Sequence, residues 1–483
     1  MRSDTSVPHL RATLLLCCLA QFMVILDVSV VNVALPAIRG SLHFSEQDLQ
    51  WVVNAYTVTF AGFLLLGGRA ADLLGRRRVF VAGLVLFGLA SLAGGVAQSQ
   101  ATLIAARAVQ GLGGAIIAPA SLSILTTTFE EGAARNRAVG IWGAMGGVGG
   151  AAGVLLGGVL TDLLGWRWIL FINVPIGLAA AVLAHRLIAE GRNAGAGRNF
   201  DLAGAICATA GLSLLVLGIV RTDVTGWGSA STLGLMATGI VLLVAFVAIE
   251  GRLATTPLMP LRIYSSRTLS AANAVILLVG AAVFAMWFFV SLYLQQVLGY
   301  TPIEAGIAFL PMTVCIAGAS ALVPRLIASV GAKAVLIAGM LAQTVGLLLF
   351  TGVSAHGTYL DSVLVASLLV ATGLGLAFVP VTILAVAGVA PSEAGLASGL
   401  VNTSRLVGGA LGLAILAALA TARTNADMHD GASLHAALTS GFQLAFLVAA
   451  AFAAVGAVLA LVGLPRALSR AASGSRTAAV TES

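Results

Sequence analysis

The chain has 483 residues, 59% hydrophobic and 9% charged, with a mean hydropathy of +1.04 and a formal net charge of +7. Soluble domains carry about 25% charged residues, which excludes one large water-soluble core. The basic residues are scattered between apolar stretches and form no stripe, so nucleic acid is not an expected partner, and the ten-residue alternating strands of a spanning barrel are absent.

Crossing about 30 Å of hydrocarbon takes roughly 20 apolar residues in a helix. Apolar windows bounded by charges and turn residues predict fourteen such helices. The first eight fall at 12–36, 48–68, 79–98, 101–122, 138–160, 168–188, 202–220 and 231–249. The remaining six fall at 269–293, 303–323, 334–353, 359–380, 398–420 and 440–464. The expected protein is therefore all-α, polytopic and bound to the lipid bilayer. Cys17, Cys18, Cys207 and Cys315 all fall inside predicted spans with no metal-ligand or disulfide spacing, so no metal or cofactor is expected.

Helix 1 contains FMVILDVSVVNVALP, residues 22–36, and its one carboxylate, Asp27, is the only acidic residue well inside a predicted span. An ionisable group there costs about 2.5–3.5 kcal/mol on insertion scales, so it usually faces a partner or a cavity. Asp27 either bridges neighbouring helices or binds a proton or cation. It lies about 13 Å along the helix from Pro36, and Arg107 on helix 4 lies roughly 9 Å from the same membrane face, at 1.5 Å per residue. Similar depth makes the two charges candidate partners. Burial favours the neutral carboxyl and a nearby guanidinium the ionised one, a balance that suits proton loading and release. Gln110 and Gly111 share the helical face of Arg107.

Helix 2 presents Gln50, Asn54 and Thr57 as a polar stripe, suited to a wet cavity. GRAADLLGRRRVF, residues 68–80, joins helices 2 and 3 and is echoed by PRLIASVGAKAVL, residues 324–336, between helices 10 and 11; Gly75 aligns with Gly331 and Arg77 with Lys333. Parallel repeats of this kind build many transporters, with the substrate site between the halves near mid-membrane. Helix 5 carries GAMGGVGGAAGVLLGG, residues 143–158, whose glycines permit close helix approach, as plain packing or as a surface on which bundles rock. Helix 9 carries Phe289, Tyr293 and Gln296 on one face, a stripe that either packs or contacts ligand. Glu304 beside TPIEAG suits a helix start, where a carboxylate favours the dipole.

An even number of spans puts both termini on one side. With the N-terminus inside, 19 of the 25 basic residues fall in the cytoplasm and four outside, as the positive-inside rule requires. Arg107 and Arg405 are the two left within spans. The expected division is a six-helix bundle over 1–190, two additional helices over 191–266, a second six-helix bundle over 267–465 and a short cytoplasmic tail, 466–483. No zinc-type histidine motif or serine nucleophile elbow is present, and no soluble catalytic domain fits between spans, so an enzyme is not expected.

Motifs through the whole chain to about residue 465 carry a resemblance. LDVSVVNVALP (26–36), QWVVNAYTV (50–58), GRAADLLGRRR (68–78), RAVQGLGGA (107–115), WRWILFINVPIG (166–177), LYLQQVLGYTPIEAG (292–306) and SGLVNTSRLVGGALG (398–412) occur in order. The chain resembles the fourteen-helix drug:proton antiporters of the major facilitator superfamily. The resemblance implies the major facilitator fold and a proton-driven exporter in the cell membrane, with small lipophilic molecules and protons as its partners. It implies Asp27 as proton carrier with Arg107 assisting, and Gly68, Asp72, Gly75 and Arg76 as a cytoplasmic latch. Gly149, Gly153, Gly157 and Gly158 would form the antiporter helix, and Gln50, Asn54, Tyr56, Phe289, Tyr293, Gln296 and Asn402 are the substrate-cavity candidates. The motifs depart from the family at Val154, where a proline is usual, and at Ala70 and Leu73 in the loop. Export of a drug or of an endogenous metabolite or lipid fits equally, and a monomer is the default state.

Overall fold

The computed structural model describes residues 7–130, 133–188, 190, 201–253, 257, 259–387, 389 and 394–465, and no strand occurs among them. The first bundle comprises α1 (Val7–Leu42), α2 (Trp51–Leu74), α3 (Arg76–Gly95), α4 (Gln100–Thr128), α5 (Ala133–Leu163) and α6 (Asn173–Leu187). Two further helices follow, α7 (Leu202–Val220) and α8 (Ala230–Ala248). The second bundle comprises α9 (Arg267–Leu292), α10 (Leu310–Val330), α11 (Ala332–Phe350), α12 (Val365–Ala387), α13 (Ala394–His429) and α14 (Leu434–Gly463). With their short extensions, 13 of these segments are long and apolar enough to cross a membrane. The fourteenth, α2, is 24 residues long and packs within the first bundle.

Helix starts are set by short polar side chains that satisfy otherwise orphaned N–H groups. Ser99, Asp201, Ser229, Ser266 and Ser433 cap α4, α7, α8, α9 and α14 in this way. Ahead of α10, Thr301 and Glu304 form a reciprocal capping box, with Thr301 N donating to Glu304 Oε2 at 2.8 Å. Glu304 is thus a helix-start residue, as its sequence context indicates.

The faint sequence repeat is a geometric one. Gly75 links α2 to α3 at φ +108°, and Gly331 links α10 to α11 at φ +86°; only glycine takes such angles without strain. Two residues on, Arg77 Nη1 donates to Ile188 O, at the end of α6, at 3.3 Å. Its counterpart Lys333 Nζ donates to Leu461 O and Leu464 O, at the end of α14, at 2.7 and 2.5 Å. Each half therefore ties its third-helix cation to the terminal carbonyls of its own last helix, where the dipole favours positive charge.

The end of the molecule where α1 begins is the near end; α1 finishes at the far end. One apolar core spans both halves at the far end, joining Val30–Leu35 of α1 with Val279–Leu294 around α9. Pro36 has no N–H, which leaves Asn32 O without its partner within α1. Ser291 Oγ donates to that carbonyl at 2.7 Å, Gln295 Nε2 to Val33 O at 2.9 Å and Arg39 Nη1 to Gln296 Oε1 at 3.2 Å. Toward the near end the first bundle keeps its own core, which the second bundle meets through Phe284, Leu406 and Val407. The halves share one apolar core at the far end and keep largely separate cores toward the near end.

Glycines set the closest approaches. A Cβ on Gly153 would lie 2.5 Å from Ser29 Cβ, and one on Gly157 2.8 Å from Val30 O. With Gly149 they press α5 onto α1, and Gly158 meets Pro302 and Ile303 of the second bundle. α5 runs unbroken through Val154. α7 fills the seam between α2 and α13, packing Leu212 and Val216 with Val58, Ala410 and Ala414.

Candidate functional site

Asp27 and Arg107 meet, as their depths require. Arg107 Nη1 donates to Asp27 Oδ2 at 2.5 Å, with the two residues 1% and 0% exposed. Asp27 Oδ1 accepts from Gln110 Nε2 at 3.0 Å and from Asn173 Nδ2 at 2.8 Å. Arg107 is held in turn: Nε donates to Val52 O at 3.0 Å and Nη1 also to Gln110 Oε1 at 2.9 Å. Gln110 Nε2 further donates to Ser91 Oγ at 2.7 Å.

Five helices of the first bundle thus converge on one carboxylate. α1 supplies the acid, α4 the cation and Gln110 one turn on, α6 Asn173, α3 Ser91, and α2 a backbone carbonyl. The site lies inside the bundle and not on its surface toward the second half. Three donors on one carboxyl are the partners of an ionised group, and charge-assisted bonds of this kind are about twice as strong as neutral ones. Breaking such a pair on one side strands a buried charge, which costs about 3–5 kcal/mol.

Tyr56 floors this site. The Arg107 guanidinium lies 4.6 Å from its ring centroid, a cation–π contact, and the ring packs on Phe60 and Phe87 at 5.7 and 6.5 Å. Its hydroxyl is buried with no hydrogen-bond partner. Gln50 and Asn54 are buried beside the same network, with Asn54 Nδ2 donating to Gln50 Oε1 at 3.3 Å. Gln50 Nε2 and Asn54 Oδ1 have no partner. In this conformation the polar stripe of α2 is buried.

The candidates on α9 and on the turn that follows it lie elsewhere. Phe289 is packed among Phe288, Phe442 and Phe446 at 5.3–6.2 Å. Tyr293 is buried, its hydroxyl donating to Ser354 O at 2.8 Å, and Gln296 belongs to the far-end junction through Arg39. Asn402 lies on α13 and accepts from Arg405 Nη2 at 2.9 Å. In the loop motif, Gly68 approaches Pro119 of α4 and Gly75 approaches Glu190. Glu190 pairs with Arg77 and Arg78 at 3.6 and 3.5 Å. Arg76 opens α3, and the side chain of Asp72 lies outside the described residues.

Sequence reasoning did not single out Asn173 or Ser91. Asn173 sits in the quoted WRWILFINVPIG, and its signal is an amide at the first turn of an otherwise apolar helix. Ser91 is a lone hydroxyl in mid-span, hard to separate from a small packing residue.

The sequence profile described as Major Facilitator Superfamily matches residues 17–413 and again 274–481. A cephamycin export protein of Amycolatopsis lactamdurans is 44% identical over 423 residues, 87% of either chain. A puromycin resistance protein of Streptomyces alboniger is 40% identical over 443 residues, 91% of this chain and 87% of that one. Among solved structures, a bacterial homologue of the human lysosomal transporter Spinster superposes with a TM-score of 0.67 at 16% identity, covering 95% of this chain and 97% of the other.

Proposed function

Because the chain belongs to the Major Facilitator Superfamily, we propose that it exports lipophilic antibiotics from the cell in exchange for protons, by alternating access. The observation that carries this reading is the buried Asp27 carboxyl group, held by Arg107, Gln110 and Asn173 inside the first bundle. The far end, joined in this conformation, is the external end, and both termini are cytoplasmic, in keeping with the distribution of basic residues. One chain makes the complete path.

The cycle follows from the network. With Asp27 ionised and Arg107 held, the halves are joined outside and part inside, the state that takes substrate from the cytoplasm. A proton reaching Asp27 from outside neutralises it and frees Arg107, and the helices meeting there (α1, α2, α3, α4 and α6) lose their common tie. Re-forming the tie after proton release to the cytoplasm resets the transporter. The glycine face of α5 lets α1 and the second bundle slide at close range. A proton moving inward releases about 2.3 kcal/mol per 100 mV and about 1.4 kcal/mol per pH unit. About 3 kcal/mol, from 100 mV and half a pH unit, sustains roughly a hundredfold gradient of a neutral compound.

The test is reconstitution in liposomes with an imposed pH gradient and a panel that includes cephamycin and puromycin, the compounds named for the two relatives. The wild-type chain is expected to concentrate a panel member when the gradient is present and not when sodium replaces it. Asp27→Asn is expected to bind the compound and fail to concentrate it. Gradient-driven transport by Asp27→Asn at the wild-type rate would remove Asp27 from coupling.

A further inference from the structure

Two arginines lie within the spans, and only one is neutralised. Arg107 has Asp27; Arg405, at mid-depth on α13, pairs with no carboxylate among the described residues. Its hydrogen bond there is from Nη2 to Asn402 Oδ1 at 2.9 Å, and Nε is buried with no partner. The guanidinium carbon lies 5.8 Å from the Phe284 ring centroid and 5.7 Å from that of Phe378, which is exposed. Phe284 and the adjacent Leu406 and Val407 pack against the core of the first bundle. The cation therefore stands near the face that the second bundle turns toward the first, flanked by two aromatic rings.

An intramembrane cation normally finds an anion on a neighbouring helix or faces a pathway. Among the described residues Arg405 has no such anion, and its Nε–Nη fork matches the geometry of a carboxylate. We infer that Arg405 binds the acidic group of the exported compound, with Phe284 and Phe378 against its apolar body. The substrate class is then an amphipathic organic monoanion. This rests on the export reading and narrows it, since net charge alone would leave neutral and cationic compounds open. It also changes the energetics: a monoanion leaving as a proton enters moves two charges, so export depends more steeply on membrane potential than it does for a neutral substrate.

Binding separates this inference from the export reading, because it needs no gradient. The probes are 1-pyrenebutyrate, its methyl ester and the matching trimethylammonium compound, titrated against purified full-length protein at pH 7. The wild-type protein is expected to bind the carboxylate at least ~tenfold more tightly than either other probe, as for a hydrogen-bonded charged group. The carboxylate-to-ester ratio is expected to fall to about one in Arg405→Gln and to stay intermediate in Arg405→Lys. Equal or weaker binding of the carboxylate by the wild-type protein overturns the inference, as does a full preference persisting in Arg405→Gln. Should Arg405→Gln fail to fold, the wild-type ranking and Arg405→Lys decide alone. Failure of pH-driven uptake with the carboxylate preference intact would fault the coupling mechanism and leave this inference standing.

Discussion

At the scale of single residues, the carboxylate and its guanidinium act as one unit. Asp27→Asn leaves Arg107 charged and buried, and Arg107→Gln does the same to Asp27, so each single variant is expected to lose about 3–5 kcal/mol of stability. The double variant carries no buried charge and is expected to recover more than half of either loss, read as melting temperature in detergent. Additive losses would mean that the two groups do not interact. This pairing could be anticipated because depth along a helix follows from residue count. The remaining partners could not, because azimuth does not: Asn173 reaches the acid, and Ser91 reaches Gln110, only through the way α6 and α3 are rotated. The same ambiguity covers α9, where Phe289 packs in an aromatic cluster and Gln296 joins the far-end contacts, although their spacing suits a cavity equally well.

Among the helices, the junction between α1 and the end of α9 ties the two halves together at the far end. Pro36 leaves the Asn32 carbonyl to Ser291, and Gln295 reaches the next carbonyl along. Replacing both side chains, Ser291→Ala with Gln295→Ala, removes two donors worth about 0.5–1.5 kcal/mol each. The combined variant is expected to populate the externally open state more than the wild type. Spin labels at Ser41 and His356, both exposed at the far end, report this as a longer mean distance; an unchanged distribution would show that the junction does not hold the closed state. The sequence places all fourteen helices in order but runs short at their ends. The predicted spans 12–36 and 398–420 are the helices α1, Val7–Leu42, and α13, Ala394–His429, since an apolar window stops at the first charges and a helix continues into water. The glycine and cation pairs at Gly75 with Arg77 and Gly331 with Lys333 are the opposite case, a weak textual echo that marks the same turn and the same tie in both halves.

For the whole molecule, membership of the superfamily fixes the architecture. The first bundle holds the Asp27–Arg107 pair within its core, the second carries Arg405 on α13, and the two are linked at the far end and through α5. In the proposed exchange, proton and substrate communicate through the opening and closing of the halves, with no contact between them. The direct test is proton release on ligand binding in detergent at pH 7, using the tightest binder of the three pyrene probes, none of which titrates there. Linkage between sites makes the effect obligatory if substrate favours the state in which Asp27 is ionised. Conditions are set where part of the population is protonated, and saturation of the wild-type protein is expected to release protons that Asp27→Asn does not. Ligand binding without proton release across the accessible pH range, or equal release by Asp27→Asn, would contradict the exchange mechanism.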